Sequence, residues 1–250
     1  MSADPISPSA ALYAALKLAQ TLSEQGEDLQ AIDAIDRALH ELDGGCAEDA
    51  ETAVPRALAL ALKGQSLSRR ARFDEAIRVF ASAPRALSGP RHVEARVCIL
   101  LGMGFACTHH TLPQQAIKLG DAALRLALAD RQMPLAALAL ECIGTAYGMD
   151  GDLGRADGML HEALGVALQS GADAVIHRCL NNLLFLSQNL FDQRRARGEL
   201  DVARDALTRC ARFVAHGDRL AARVGAYERC RWRRNRAGWQ LRRGNLDDAR

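Results

Sequence analysis

Aromatic residues and prolines are scarce in this sequence. Phe, Trp and Tyr make up only 4% of the 250 residues and proline occurs seven times, although 49% of the residues are hydrophobic. The core must therefore be built from Leu and Ala rather than from aromatic rings. Because Ala, Leu, Arg, Glu and Gln favour helix and long β-branched runs are missing, the composition predicts an all-α protein.

An excess of one charge is also missing, since the formal net charge is only +2. A domain that binds nucleic acid over its whole surface needs a strong positive balance, so no nucleic-acid partner is predicted for this region. The charge is uneven, because seven arginines fall between Arg229 and Arg243. We interpret this segment as a solvated helix face; the alternative is a contact with an anion or a partner.

The cysteines lack the pattern of a disulfide framework. They are seven, an odd number, and no two of them form a C-x-x-C pair. This usage is typical of reduced thiols packed as small apolar residues in a cytosolic protein. The sequence has no secretory signal, and none of its apolar runs is long enough to span a bilayer. It therefore predicts a cytoplasmic protein without a membrane partner.

Motifs that carry chemistry are missing as well. Cys107, His109 and His110 lie close together, but no second pair at zinc spacing accompanies them, and a helix end with a buried thiol is the preferred interpretation. His161 and His177 lack an oriented catalytic partner, and no phosphate-binding G-x-x-x-x-G-K-[ST] occurs. No catalytic residue, metal ligand or cofactor is predicted.

What the sequence does contain is a repeated helix–turn–helix unit, clearest between Leu140 and Leu164. A turn position recurs five residues before a small residue that begins the apolar pattern of a second helix. The turn positions are Gly26, Ala71, Thr111, Gly151, Gly198 and Gly244, and the small residues are Ala31, Ala76, Ala116, Ala156, Ala203 and Ala249. Successive units are 40 to 47 residues apart, which is the mark of a repeat array. In the fifth unit we expect a longer connector containing Asp192–Arg197, and the sixth unit is expected to start near Asp218.

The fourth unit resembles the tetratricopeptide repeat (TPR) family. The residues that carry the resemblance are Leu140, Gly144, Tyr147, Gly151, Ala156, Leu160 and Ala163. The resemblance implies a right-handed α–α superhelix of about five complete hairpins and a truncated sixth, spanning residues 9–250 after a disordered lead-in at 1–8. The units are longer than the usual period of about 34 residues. In this they are similar to the repeats of bacterial regulatory proteins.

The resemblance also implies a binding groove, because first helices line the concave face of such an array. A protein or peptide ligand, or an acidic segment of a partner, would contact Asn181, Asn182, Phe185, Gln188, Asn189, Arg234, Asn235 and Arg242. Asparagine can pair with both groups of an extended backbone, and arginine with a carboxylate. The alternative is that Asn181 and Asn182 only pad the inner helix surface.

The sixth unit stops at Arg250, one residue after Ala249. We expect the chain to be the N-terminal part of a longer protein, with a homodimer as a further candidate assembly. The array resembles the sensory regions of bacterial diguanylate cyclases that carry a GGDEF domain. The alternatives are the sensor region of a TPR-containing transcriptional regulator, of the peptide-sensing or LuxR-like kind, and a free-standing assembly scaffold.

Overall fold

The computed structural model describes residues 8–43, 50–83, 87 and 92–247, and within them it contains helices and turns but no strand. Eleven α-helices follow one another in the described ranges. They are α1 (Pro8–Gln25), α2 (Asp28–Asp43), α3 (Ala50–Arg69), α4 (Phe73–Ala81), α5 (Val93–His109), α6 (Pro113–Ala129), α7 (Met133–Met149), α8 (Leu153–Ser170), α9 (Asp173–Ala196), α10 (Leu200–Leu220) and α11 (Ala226–Asp247). Consecutive helices pair into five antiparallel hairpins, and α11 follows them. The predicted lead-in lies outside the described residues, except that Pro8 already begins α1.

Five of the six predicted turn positions are confirmed by the backbone. Each has a positive φ: Gly26 at 90°, Ala71 at 59°, Thr111 at 61°, Gly151 at 88° and Gly198 at 77°. The residue after each turn position donates its N–H to a carbonyl near the end of the first helix, as Asp152 does to Tyr147 at 3.0 Å. This left-handed C-cap satisfies the free carbonyls and reverses the chain.

The predicted small positions of the second helices are buried between helices. Those at the start of the second helices, Ala31, Ala76, Ala116, Ala156 and Ala203, are all 0% exposed; Ala249 lies outside the described residues. In the third unit Gly120 replaces the usual bulky residue. A Cβ there would lie 2.6 Å from Cγ1 of Ile143, so the side chain of the next unit fills the space.

Three expected boundaries are wrong. Residues 192–196 continue α9 to Ala196 instead of forming a connector, because Gln, Arg and Ala favour helix, and the chain turns only at the predicted Gly198. Gly244 lies inside α11 rather than in a turn, and Asp218 belongs to α10. The sixth unit therefore starts at Ala226, after a 3₁₀ turn at Ala221–Arg223 and an extended residue, Val224.

The array curls far enough for its last described helix to meet its first hairpin. A Cβ on Gly26, in the turn between α1 and α2, would lie 3.8 Å from Cβ of Ala226 at the start of α11. A Cβ on Gly225 would lie 3.7 Å from Cα of Glu24. The first helices of the later units therefore face one another across the inside of the superhelix.

Candidate functional site

A half-open cavity of about 140 Å³ lies at the centre of the superhelix. Five first helices, α3, α5, α7, α9 and α11, line it, and each contributes side chains one helical turn apart. Its polar and aromatic lining includes Gln65 and Arg69, Phe105 and His109, Glu141 and Thr145, Arg178 and Asn182, and Tyr227 and Arg231, together with Ser68 and Glu228. Residues i and i+4 share one helix face, so the repeat brings five such pairs to one place.

Glu141 of α7 is the most buried charged group of the cavity, at 1% exposure. Its Oε2 accepts a hydrogen bond of 3.1 Å from Nε of Arg178 and forms an ion pair with the same guanidinium, whose Nη2 lies 2.9 Å away. Its Oε1 accepts one from Nδ2 of Asn182 at 2.5 Å. Burial raises the pKa of Glu141, and the charges of Arg178 and Arg231 oppose that rise. Both oxygens are thus satisfied inside the wall.

Asn182 of α9 joins three units. Its Nδ2 also lies 3.3 Å from the hydroxyl of Thr145, and its Oδ1 accepts a bond of 3.0 Å from Nη2 of Arg231. Arg231 in turn lies 3.4 Å from a carboxylate oxygen of Glu228. The fourth, fifth and sixth units are therefore connected by one chain of charged and amide groups.

Aromatic rings and guanidinium groups are stacked in the lining of the cavity. Arg69 and Arg231 both lie over the ring of Tyr227, with Cζ 5.2 Å and 5.8 Å from its centroid. Arg178 lies 4.6 Å over the ring of Phe105. Burial lowers the pKa of His109, and the charges of Arg231 and Arg178 lower it further, so its imidazole is neutral at neutral pH.

A second groove of about 110 Å³ adjoins the cavity and shares Thr145 and Asn182 with it. Met149, Phe185 and Asn189 line its outer part. Met149 is 49% exposed and Phe185 46% exposed, so this groove offers apolar surface to solvent. The concave face thus combines a charged cavity with an apolar groove.

The structure places the eight sequence-predicted groove residues in three different settings. Asn182, Phe185 and Asn189 line the cavity or the groove, whereas Arg234 is exposed and lines neither. The other four lie between α9 and α11 and bond across that interface: Asn181 with Asn235 at 3.0 Å, Gln188 with the Asn235 carbonyl at 2.9 Å, and Arg242 with Gln188 at 3.0 Å. A ligand would compete with these contacts.

In the fifth and sixth units, which contain all eight predicted residues, the sequence reasoning missed four cavity residues: Arg178, Tyr227, Glu228 and Arg231. A signal for two of them was present. Arg178 lies four residues before Asn182, and Arg231 lies four before Asn235, so each shares a helix face with a predicted residue. Extending the inner face by one turn would have found both.

The described residues contain no group of three or more His, Cys, Asp or Glu that could hold a metal ion. In the Cys107–His110 segment, the thiol is buried, His109 stacks on Phe73 and His110 pairs with Asp74 at 3.0 Å. Six cysteines are free thiols, and the seventh, Cys46, lies outside the described ranges. In the part of the chain described, no helix is long and apolar enough to cross a membrane.

Comparison with known proteins bears on the fold. No protein-family model matches the sequence, and no curated protein matches it significantly. A solved Rap protein complexed with Competence and Sporulation Factor matches with a TM-score of 0.67 at 16% identity, over 85% of this chain and 56% of that one. BtubC from P. vanneervenii matches with 0.61 at 20% identity, over 85% and 83% of the two chains. TPR-like repeats of a Podosopora anserina kinesin light chain match with 0.56 at 12% identity, over 86% and 100%.

Identities this low establish the fold alone. The chain is a helical repeat protein with the TPR-like solenoid fold predicted from its sequence, which the all-helical hairpin array confirms. It spans only about half of the length of the Rap chain, at 56%.

Proposed function

We propose that this region is a non-catalytic module that binds a protein or an extended peptide on its concave face. One observation carries the proposal: five first helices converge on a single polar cavity that is continuous with an exposed apolar groove. Concave surfaces of repeat arrays are the usual binding faces. The Rap neighbour, which was solved in complex with Competence and Sporulation Factor, supports the same interpretation.

The chemistry of the lining defines the ligand we expect. Arg69, Arg178 and Arg231 supply N–H donors to the cavity. Of its two carboxylates, Glu141 is satisfied by Arg178 and Asn182, and Glu228 pairs with Arg231. A wall with more donors than free acceptors suits carbonyl and carboxylate oxygens. The ligand would place such groups in the cavity and an apolar side chain against Met149 and Phe185. The amides of Asn182 and Asn189 lie along its path.

For the parent protein we propose a bacterial cytoplasmic signalling protein in which this region is the regulatory input, such as a diguanylate cyclase with a GGDEF domain. The six free thiols support the cytoplasmic location. The Rap neighbour favours, as a second candidate, the sensor region of a peptide-sensing transcriptional regulator. Determining the gene sequence beyond the codon of Arg250 separates them: a GGDEF signature supports the first and a helix-turn-helix the second.

Selection from a random peptide library, followed by calorimetry, tests the binding face. We expect the Kd of the selected peptides to rise about tenfold in Phe185→Ala, the size of effect typical of an aromatic anchor. The control is Leu168→Ala, which removes a side chain of similar exposure, 49%, from the outer helix α8. Equal Kd values for Phe185→Ala and the wild type would place the binding face elsewhere.

A further inference from the structure

The cavity depends on a contact between the two ends of the array. Tyr227, Glu228 and Arg231 of α11 supply one wall, and α11 is positioned there by the first hairpin as well as by α9 and α10. Arg69 ties the two sides together, because it lies over Tyr227 while bonding Ser23 and, at 3.2 Å, Asp28. Separating α11 from the first hairpin would therefore open the cavity along one side.

This closing contact is made of small and polar groups. Gly26 meets Ala226, Gly225 meets the backbone of Glu24, and Arg69 meets Tyr227. The described apolar cluster of the first hairpin, which includes Leu12, Ile35 and Leu42, contains no residue of α11. Burial of apolar surface is the main contribution to the free energy that holds packed helices together. This contact is therefore weaker than the interfaces between consecutive hairpins.

The rest of α11 is held by polar bonds and by two buried rings. Asn235 and Arg242 bond to Asn181 and Gln188 of α9, and Arg242 also pairs with Asp192 at 2.5 Å. Two rings, Trp232 and Trp239, anchor the helix in the apolar cluster of α9 and α10. Polar interfaces within a chain permit relative motion more readily than large apolar ones. The two rings fix α11 to α9 and α10, so the contact of α11 with the first hairpin, which lacks such rings, is the one expected to open.

The enclosed space is small for the ligand. The cavity holds about 140 Å³, whereas ligand pockets typically measure about 300–1,000 Å³. A peptide segment would need a wider space than the closed array encloses.

We propose that the contact between α11 and the first hairpin is a reversible closure of the cavity, which opens to admit a ligand and closes around it. Only the kind of ligand that enters the cavity rests on the proposed function. The opening and closing themselves are properties of the free protein. Ligand binding then stabilises the closed form by contacting residues from both ends of the array, Arg69 on one side and Arg231 on the other.

A disulfide across the contact tests the proposal without any ligand. The Cβ separation of 3.8 Å between positions 26 and 226 matches that of a disulfide, so Gly26→Cys with Ala226→Cys can form one. The reporter is Cys98, a half-buried thiol that lines the cavity, and the internal standard is the exposed Cys230. Both are labelled with a bulky maleimide at mildly alkaline pH and quantified by mass spectrometry.

We expect the oxidised disulfide to slow labelling of Cys98 by about tenfold relative to Cys230, because a reagent too bulky for the cavity of about 140 Å³ reaches Cys98 only when the array opens. Reduction, with the reductant then removed, restores the rate. Equal Cys98 rates in the oxidised and reduced protein would overturn the proposal. So would failure of the disulfide to form in a folded protein, since the two positions would then not meet.

A wedge in the same contact gives an independent test that does not require Gly26 to change. Ala226→Glu places a longer side chain against the first hairpin without altering the cavity lining, and Ala237→Glu makes the same change at an exposed position of α11. We expect Ala226→Glu to speed labelling of Cys98 severalfold and Ala237→Glu to leave it unchanged. An unchanged rate in Ala226→Glu, with the helical circular dichroism preserved, would overturn the closure.

Discussion

Gly151 and Gly158 lie seven residues apart in the fourth hairpin, and the same substitution is expected to have opposite effects at the two positions. Gly151 is the turn between α7 and α8, with φ of 88°, whereas Gly158 is an exposed residue inside α8. A Cβ at either position would meet nothing within 4 Å. Packing therefore plays no part, and the backbone conformation alone decides the sign.

The magnitudes follow from the backbone. Alanine in place of glycine lowers the entropy of the unfolded chain, which by itself stabilises the fold by about 0.4–1 kcal/mol. At Gly151 the left-handed conformation costs an L-residue about 1–2 kcal/mol, which exceeds that gain. We expect Gly151→Ala to destabilise by about 1 kcal/mol and Gly158→Ala to stabilise by about 0.5–1 kcal/mol.

Urea unfolding followed by helical circular dichroism measures both changes against the wild type. For a chain of this size, about 1 kcal/mol corresponds to a shift of about 2–4 °C in Tm, so thermal scans provide a second reading. Ala71→Gly, at φ 59° and exposed, serves as the reverse experiment and is expected to stabilise. Shifts of the same sign for Gly151→Ala and Gly158→Ala would refute the backbone argument.

Two further predictions concern buried charge. Arg178→Ala leaves the carboxylate of Glu141 buried without its cation, so we expect the unfolding free energy to fall by about 3–5 kcal/mol. The control, Arg155→Ala, removes one partner of an exposed ion pair and is expected to cause no measurable loss. Similar losses in the two variants would contradict the role given to Glu141. The second is acid sensitivity from His177, which is buried against Trp232 at 5.2 Å between ring centroids and has no hydrogen-bond partner for either ring nitrogen. Burial lowers its pKa from 6.5, an effect that Glu228 opposes and Arg231 assists, so the unfolded chain binds the proton first and stability falls as the pH drops below about 6.5. Unfolding free energies across this range, with His177→Phe as the variant that should lose this part of the dependence, check the assignment; an unchanged pH profile in the variant would disprove it.

The sequence was sufficient to predict the turns inside the five hairpins. Thr111 and Ala71 were assigned to turns by their spacing from Ala116 and Ala76 although neither is glycine, and both have positive φ. Helix formation and chain reversal depend on neighbours within a few residues, so a repeated spacing is enough to predict them.

Composition did not predict the structure of segments that contain both helix-favouring residues and residues typical of turns or connectors. The charged run after Phe191 was expected to be a connector, and Gly244 was expected to be a turn, but both are helical. Arg and Gln are good helix formers, and a glycine inside a helix costs only about 1 kcal/mol. The bond of Arg242 to Asp192, 50 residues away, also favours helix at both places.

The candidate site was also predictable from the sequence only in part. The inward faces of the helices were predictable from the repeat, and so were Asn182, Phe185 and Asn189 as residues that line the concave face. It was not predictable that Asn181 would lie in the interface with α11 and Asn182 in the cavity. The two residues are adjacent in the sequence and differ only in their neighbours in the folded protein. Asn181 bonds to Asn235 of α11, and Asn182 bonds to Glu141 of α7.

The sequence by itself determined that this protein is an array of helical hairpins, where five of the turns inside the hairpins lie and which small residues are buried between the helices. Only the tertiary structure decided that the array closes from Gly26 to Ala226 and that Glu141, Arg178 and Arg231 meet in one cavity. The physical reason is that curvature accumulates from a small rotation at every joint between units. Each rotation depends on how side chains such as Ile143 fill the neighbouring unit. The sum of these rotations cannot be predicted from a local sequence pattern.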